Sequence, residues 1–351
     1  MSRTIRLLPS FLTVGGWTLI SRILGFVRDI MIAAFLGSGP VAQAFLIAFS
    51  LPNMFRRFFA EGAFNAAFVP MFSKRVEAGD DPDGFAQDAF AGLMAVLIVF
   101  TLLAQLVMPW LVLAMASGFR GDERFDLAVD MGRIAFPYIL FISLAALLSG
   151  VLNALGRFAA AAAAPVLLNI ILVVAMLGAW SLGWDLGFAL TWAVPVAGVV
   201  QFLLVWEAAR RAGVRLVPKL PRMTPELKRL AIIAAPAALA GGVVQINLLV
   251  GRQVASFFDG AVVWLSLADR LYQLPLGLVG VAIGIVLLPE LSRRLMAGDA
   301  TGGREAFNRA TEFSLLLTLP AAAALIVLPG PIVSILFGPV SYTHLTLPTK
   351  A

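Results

Sequence analysis

The chain has 351 residues, 60% of them apolar and only 13% charged, and its mean hydropathy is +0.94. Soluble domains run near 45–50% apolar and about 25% charged, so a water-soluble fold is excluded. A net charge of +6, no cysteine and a single histidine, His344, remove thiolate and histidine metal sites, cysteine nucleophiles and imidazole catalysis.

The apolar residues come in blocks of twenty or more, long enough to cross a ~30 Å hydrocarbon layer as helices. The ~10-residue alternating segments of a membrane barrel are absent from the sequence. The expected class is therefore an all-α polytopic membrane protein. No Gly-Lys dipeptide occurs, which excludes a phosphate-cradling P-loop. No cofactor and no nucleic-acid partner are expected, because the positive charge follows from membrane topology.

In chain order, nine spanning segments are predicted: 11–36, 41–72, 88–116, 131–154, 159–182, 186–208, 229–256, 261–291 and 307–329. Gly37-Ser38-Gly39-Pro40 punctuates the first pair, the run Gly79 to Gly84 the second, and Gly118 to Asp126 the third. The first apolar stretch is long and holds internal arginines, so it reads as a spanning helix and not a cleaved signal. With the N-terminus inside, the inner connections hold sixteen Lys and Arg, whereas the outer ones hold only Arg120 and Arg124. The positive-inside rule then makes the N-terminus cytoplasmic.

The longest inner connection, 209–228, is basic and carries Pro218, Pro221 and Pro225. It is expected to link a six-helix lobe, 1–208, to an incomplete second lobe, 229–338. The pattern P-x-x-S-[KR]-R occurs at Pro70–Arg75 and again at Pro289–Arg294, on segments six spans apart, as a parallel repeat requires. Both segments also hold an earlier Leu-Pro, Leu51-Pro52 and Leu274-Pro275. If six helices form the unit, three are missing from the second lobe, so the chain reads as a fragment. Residues 339–351 are too short and polar to span and are read as a non-native tail.

Arg22, Arg28, Arg56, Arg57 and Arg270 fall well inside predicted spans. Facing lipid, at ~2.5–3.5 kcal/mol each, they would cost roughly 12–18 kcal/mol, as much as a whole folding free energy. They must face a bundle interior or a wet cavity. Asp29, Glu61 and Asp269 are candidate ion-pair partners; Arg57 and Glu61 are spaced i,i+4, and Arg22 and Asp29 share a face at i,i+7. Five cations against three acids leave an excess of two, which a bound anion would balance. The guanidinium fork suits phosphate oxygens, so a phosphorylated amphiphile is the expected ligand; a purely structural ion-pair network is the alternative. Arg133 and Arg252 are expected to snorkel, and Asn169, Gln245 and Asn247 to bridge helices. Pro52, Pro236 and Pro275 are candidate kinks.

The segments Ser21-Arg22-Ile23-Leu24-Gly25-Phe26-Val27-Arg28-Asp29 and Leu51-Pro52-Asn53-Met54-Phe55-Arg56-Arg57-Phe58-Phe59-Ala60-Glu61-Gly62 resemble the MurJ (MviN) family of lipid II flippases. So do Phe136-Pro137-Tyr138-Ile139 and Ala268-Asp269-Arg270-Leu271, and the resemblance covers residues ~10–338. It implies a two-lobed helical bundle transporter of the multidrug/oligosaccharidyl-lipid/polysaccharide exporter superfamily, with about nine of fourteen transmembrane helices present. It implies that Arg22, Arg28, Arg56, Arg57 and Arg270 bind the pyrophosphate of lipid II in a central cationic cavity, with Asp29, Asn53, Glu61 and Asp269 supporting them. It implies alternating access without covalent chemistry, in the bacterial inner membrane, with lipid II, the bilayer and cell-wall synthesis or division proteins as partners. Gln43 and Gln273 stand where family members often carry acids. The helices of the family's lipid-tail groove are expected beyond this chain. A related exporter of another polyprenyl-linked glycan and a non-transporting scaffold of cell-wall synthesis are the competing expectations.

Overall fold

A computed structural model describes residues 7–57, 63–214, 219–282, 291, 293–294 and 296–341; these form helices joined by short turns, with no strand among them. The helices are α1 (Leu7–Leu36), α2 (Pro40–Arg56), α3 (Ala63–Ala78), α4 (Pro82–Leu106), α5 (Met108–Ala116), α6 (Glu123–Ala135), α7 (Tyr138–Ala154), α8 (Ala159–Leu182), α9 (Leu186–Arg211), α10 (Pro225–Ala255), α11 (Ala261–Ala282), α12 (Ala300–Val327) and α13 (Pro329–Ser341). Among the described residues five stretches, 82–106, 123–154, 159–182, 186–211 and 301–327, are long and apolar enough to cross a bilayer. The chain is a multi-pass membrane protein of all-α class.

Short polar signals set the helix starts. The Asp81 carboxylate accepts from the Gly84 N–H at 3.0 Å, with Pro82 opening α4. Asp185 caps α9 through the Phe188 N–H at 2.8 Å, and Thr224 caps α10 through the Leu227 N–H, again with a proline next in line. Each satisfies an N–H that the helix itself cannot. Gly183 ends α8 at φ +69°, a left-handed backbone that a side chain resists.

Four predicted spans are divided, 131–154 among them, at Phe136-Pro137 between α6 and α7. The span 41–72 becomes α2 and α3, with 58–62 outside the described residues; 88–116 breaks before Pro109, and 307–329 breaks before Pro329. A proline biases the residue ahead of it away from helical backbone, which fits the last two breaks. Pro52, Pro236 and Pro275, by contrast, stand inside continuous helices. Residues 283–290, 292 and 342–351 lie outside the described residues, and with them most of the second P-x-x-S-R-R copy and of the predicted tail.

The chain forms two compact units, 1–263 and 264–351. In the first, the core is built from large aromatics on closely packed helices: Phe45, Phe68, Phe72, Phe119, Phe136 and Tyr138 are all buried. Phe68 stacks on Phe72 and Phe85 with centroids 5.6 and 5.5 Å apart. The outward faces remain apolar, with Leu102, Leu106, Val174 and Leu203 exposed, as a lipid-facing surface requires. Trp180 and Trp184 are exposed on either side of the α8–α9 turn. Helix α10, placed by sequence in the second lobe, packs within the first unit, against α3, α4 and α5. The second unit, taken by itself, contains α12 and α13, and no residue in the apolar stretch of α12 is fully buried.

Candidate cationic site

Of the residues singled out by burial cost, Arg28 is the most enclosed, at 5% exposure on the inner face of α1. Its Nε and Nη2 donate to Asp29 Oδ1 at 2.9 and 2.6 Å, and its Nη1 donates to Asn169 Oδ1 on α8 at 2.9 Å. The guanidinium also lies 5.8 Å from the centre of the Phe49 ring. Asn169 in turn donates from Nδ2 to the Ser21 carbonyl at 3.0 Å. This amide therefore bridges α1 and α8, in the interhelical role its sequence context suggested. Asp29, matched by spacing to Arg22, accepts the fork of its own neighbour Arg28.

Arg22 lies near the middle of α1, is exposed, and has no ion pair among the described residues. Arg56 occupies the last turn of α2, half-buried, and Arg57 is its exposed C-cap. Both therefore lie where unsatisfied carbonyls and the helix dipole favour positive charge. Arg57 likewise has no ion pair among the described residues. Asn53 donates to the Phe49 carbonyl at 2.7 Å, one turn back along α2, so its amide is engaged by backbone beside Pro52. Glu61 lies outside the described residues. Asp269 and Arg270 are half-buried neighbours on α11, in the second unit. Within the first unit, then, Arg28, Asp29 and Asn169 are brought together, and Arg22 and Arg57 are left exposed.

A second buried guanidinium escaped sequence reasoning. Arg124, counted there as outer-loop charge, is 7% exposed. Its Nε and Nη2 reach Asp122 Oδ2 at 2.6 Å each; Nη1 reaches Asp259 Oδ1 at 3.1 Å and Gln43 Oε1 at 3.3 Å. Phe119 lies beneath it, with 4.7 Å to the ring centre. The Arg124 backbone N–H, followed by its guanidinium, holds the Asp122 carboxyl below the usual carboxylate range. Alongside, the tip of α10 meets the 117–119 turn. Gln253 Oε1 accepts from the Ser117 N–H at 3.0 Å, Gln253 Nε2 donates to Ser117 Oγ, and Ser256 Oγ accepts from the Gly118 N–H at 3.0 Å. A Cβ on Gly118 would come within 2.5 Å of the Ser256 carbonyl, which explains the glycine there. The only sequence signal for this clasp is the Ser-Gly pair at 117–118.

Among the described residues no cluster of acids or histidine could hold a metal ion. The described residues thus hold one arginine bound by a carboxylate and an amide, and two exposed arginines without an ion pair.

The family model described as lipid II flippase MurJ matches residues 32–347. A probable lipid II flippase MurJ of Rhizobium meliloti (strain 1021) is 50% identical over 338 residues, which is 94% of this chain and 63% of that protein. The lipid II flippase MurJ of Burkholderia cenocepacia is 38% identical over 341 residues, 95% of this chain and 66% of that one. Among solved structures, a lipid II flippase MurJ in an inward closed conformation superposes with TM-score 0.79 at 25% identity, covering 93% of this chain and 67% of that one. An inward-facing MATE family transporter of the MOP superfamily shares the fold at TM-score 0.67 and 16% identity, over 93% of this chain and 75% of that one. The chain thus spans about 63% of the length of the Rhizobium relative.

Proposed function

The chain belongs to the lipid II flippase MurJ family, and from that premise we propose that it forms the greater part of a transporter that moves lipid II across the bacterial inner membrane by alternating access. The substrate pyrophosphate binds a cationic cavity to which Arg22, Arg56 and Arg57 contribute, while the polyprenyl tail stays in lipid. Arg28 joins them when its pairing with Asp29 opens; in the closed pairing it sets the rotation of α1 and hence the direction of Arg22. No bond is made or broken, so the protein is a transporter and not an enzyme. The N-terminus is cytoplasmic, and access alternates between the two faces of the membrane. The clasp between α10 and the 117–119 turn then holds the outer end shut in this state.

One observation carries the reading: Arg22, midway along α1, and Arg57, at the end of α2, are exposed and without an ion pair among the described residues. In hydrocarbon each would cost ~2.5–3.5 kcal/mol; in a wet chamber the cost vanishes, and a pyrophosphate supplies the countercharge that no carboxylate among the described residues does. The names of the relatives support lipid II as the cargo.

Complementation of a flippase-depleted bacterium by the encoding gene tests this. Arg57→Ala and Arg22→Ala are expected to abolish growth at normal membrane levels of protein, and Arg57→Lys to restore it in part, because a point charge lacks the fork. Full growth with Arg57→Ala overturns the cavity and favours the scaffold reading, to which the closed Arg28–Asp29–Asn169 arrangement also lends weight.

A further inference from the structure

A cavity of about 500 Å³ lies at the end of the bundle where α1 begins, α7 passes to α8, and α9 ends. It exists because α8 opens with six consecutive alanines, 159–164, whose methyl groups leave the space between Leu152 and Ala208 unfilled. Arg157 and Arg211 stand on its wall with Thr13 and Phe158. The local charge is lopsided. Arg210 and Arg211 share the single carboxylate of Glu207, at 2.7 and 2.8 Å, and Arg157 is exposed with no ion pair among the described residues. Three guanidinium groups on one carboxylate leave two positive charges beside the opening. The first N–H groups of α8 add to this, since Phe158 at its N-cap offers no side-chain acceptor. The remaining wall, from Leu152, Phe158, Ala159 and Ala160, is apolar.

Cations beside apolar wall, at the level where a spanning helix meets the membrane surface, match the join between a phosphate and its acyl chains. We propose that this cavity binds the phosphodiester headgroup of an anionic bilayer phospholipid, with Arg157 and Arg211 on the phosphate oxygens and the glycerol end against Leu152 and Phe158. The site is apart from the α1–α2 arginines, and the inference rests on the membrane-spanning reading and not on transport.

The test is photo-crosslinking in phosphatidylcholine vesicles containing a trace of photoactivatable phosphatidylglycerol or, in parallel, photoactivatable phosphatidylcholine. The phosphatidylglycerol probe is expected to label peptides holding residues 152–160 and 208–211 in preference, by up to roughly thirty-fold, the factor two surface cations supply. The pair of substitutions Arg157→Gln and Arg211→Gln should bring labelling down to the phosphatidylcholine level. Equal labelling by both probes overturns the proposal, as does a preference that survives the paired substitution. If the paired variant does not fold, the wild-type preference and its location in those peptides decide the matter alone. Displacement by millimolar inorganic phosphate would show that a free anion is the ligand and overturn the lipid assignment.

Discussion

Arg28 and Arg22 differ by six positions on one helix and meet opposite fates. Arg28 has a carboxylate next door and an amide on α8, so all three of its guanidinium nitrogens donate to acceptors in the interior. Arg22 has neither among the described residues. A hydrogen bond to a charged group contributes roughly 1.5–3 kcal/mol. A double-mutant cycle on Arg28→Ala and Asn169→Ala should therefore show a coupling of about that size in detergent unfolding. Additive effects would mean that the bridge carries no energy. The same comparison shows what sequence could reveal. Insertion cost alone picked out all five mid-span arginines, because that cost depends only on depth along a span. Which of them is neutralised depends on Asn169, 141 residues away, and on Asp29 turning to its neighbour.

At the scale of elements, the start of α9 behind Asp185 was legible. Helices α4 and α10, by contrast, begin at Pro82 and Pro225, ahead of the expected 88 and 229, because Asp81 and Thr224 cap polar turns that hydropathy does not register. Breaks inside apolar runs, before Pro109 and Pro329, were missed because hydropathy does not fall there. Arg124 was misplaced for a different reason: its burial requires α2, α6 and the segment after α10 to converge, and no local pattern encodes that. The clasp beside it is sensitive to a single carbon. Gly118→Ala drives a Cβ into backbone atoms at 2.5 Å, which cannot swing aside as a side chain end could. Spin labels at Arg120→Cys and Phe258→Cys, in a chain free of native cysteine, should report a longer and broader distance in the Gly118→Ala background. Acid should act in the same direction. Asp122 has a lowered pKa in the folded state, so its contribution is present above the unfolded value and is lost as pH falls through the folded one. The labelled distance should thus hold from neutrality down to the ordinary carboxylate range and lengthen below it. An unchanged distance in both arms would mean that the contact is not what holds these ends together.

At the scale of the whole molecule, lysine and arginine are partitioned between the two ends of the bundle, and the cavity residues show that Arg157 and Arg211 share the end where α1 begins. The proposed orientation, with the N-terminus cytoplasmic, rests on that partition. In intact cells, an impermeant maleimide should label Arg120→Cys, and should label Arg157→Cys only after permeabilisation. The reverse pattern would invert the topology and place the basic cavity in the outer leaflet. Helix α10 is fastened to the first unit along much of its length: the Arg75 guanidinium reaches Glu226 at 3.4 Å near its start, and Gln253 and Ser256 bind near its end.

The two tryptophans flanking Gly183 have a consequence for the surrounding bilayer. Indole rings prefer the headgroup zone, so Trp180 and Trp184 float the α8–α9 turn at the water line like a buoy. A membrane of shorter acyl chains could not draw that turn inward without submerging both rings. Hydrophobic mismatch would then be relieved by leaning the helices over or by thickening the nearby lipid, and lipid length would become a control on the tilt of the whole bundle.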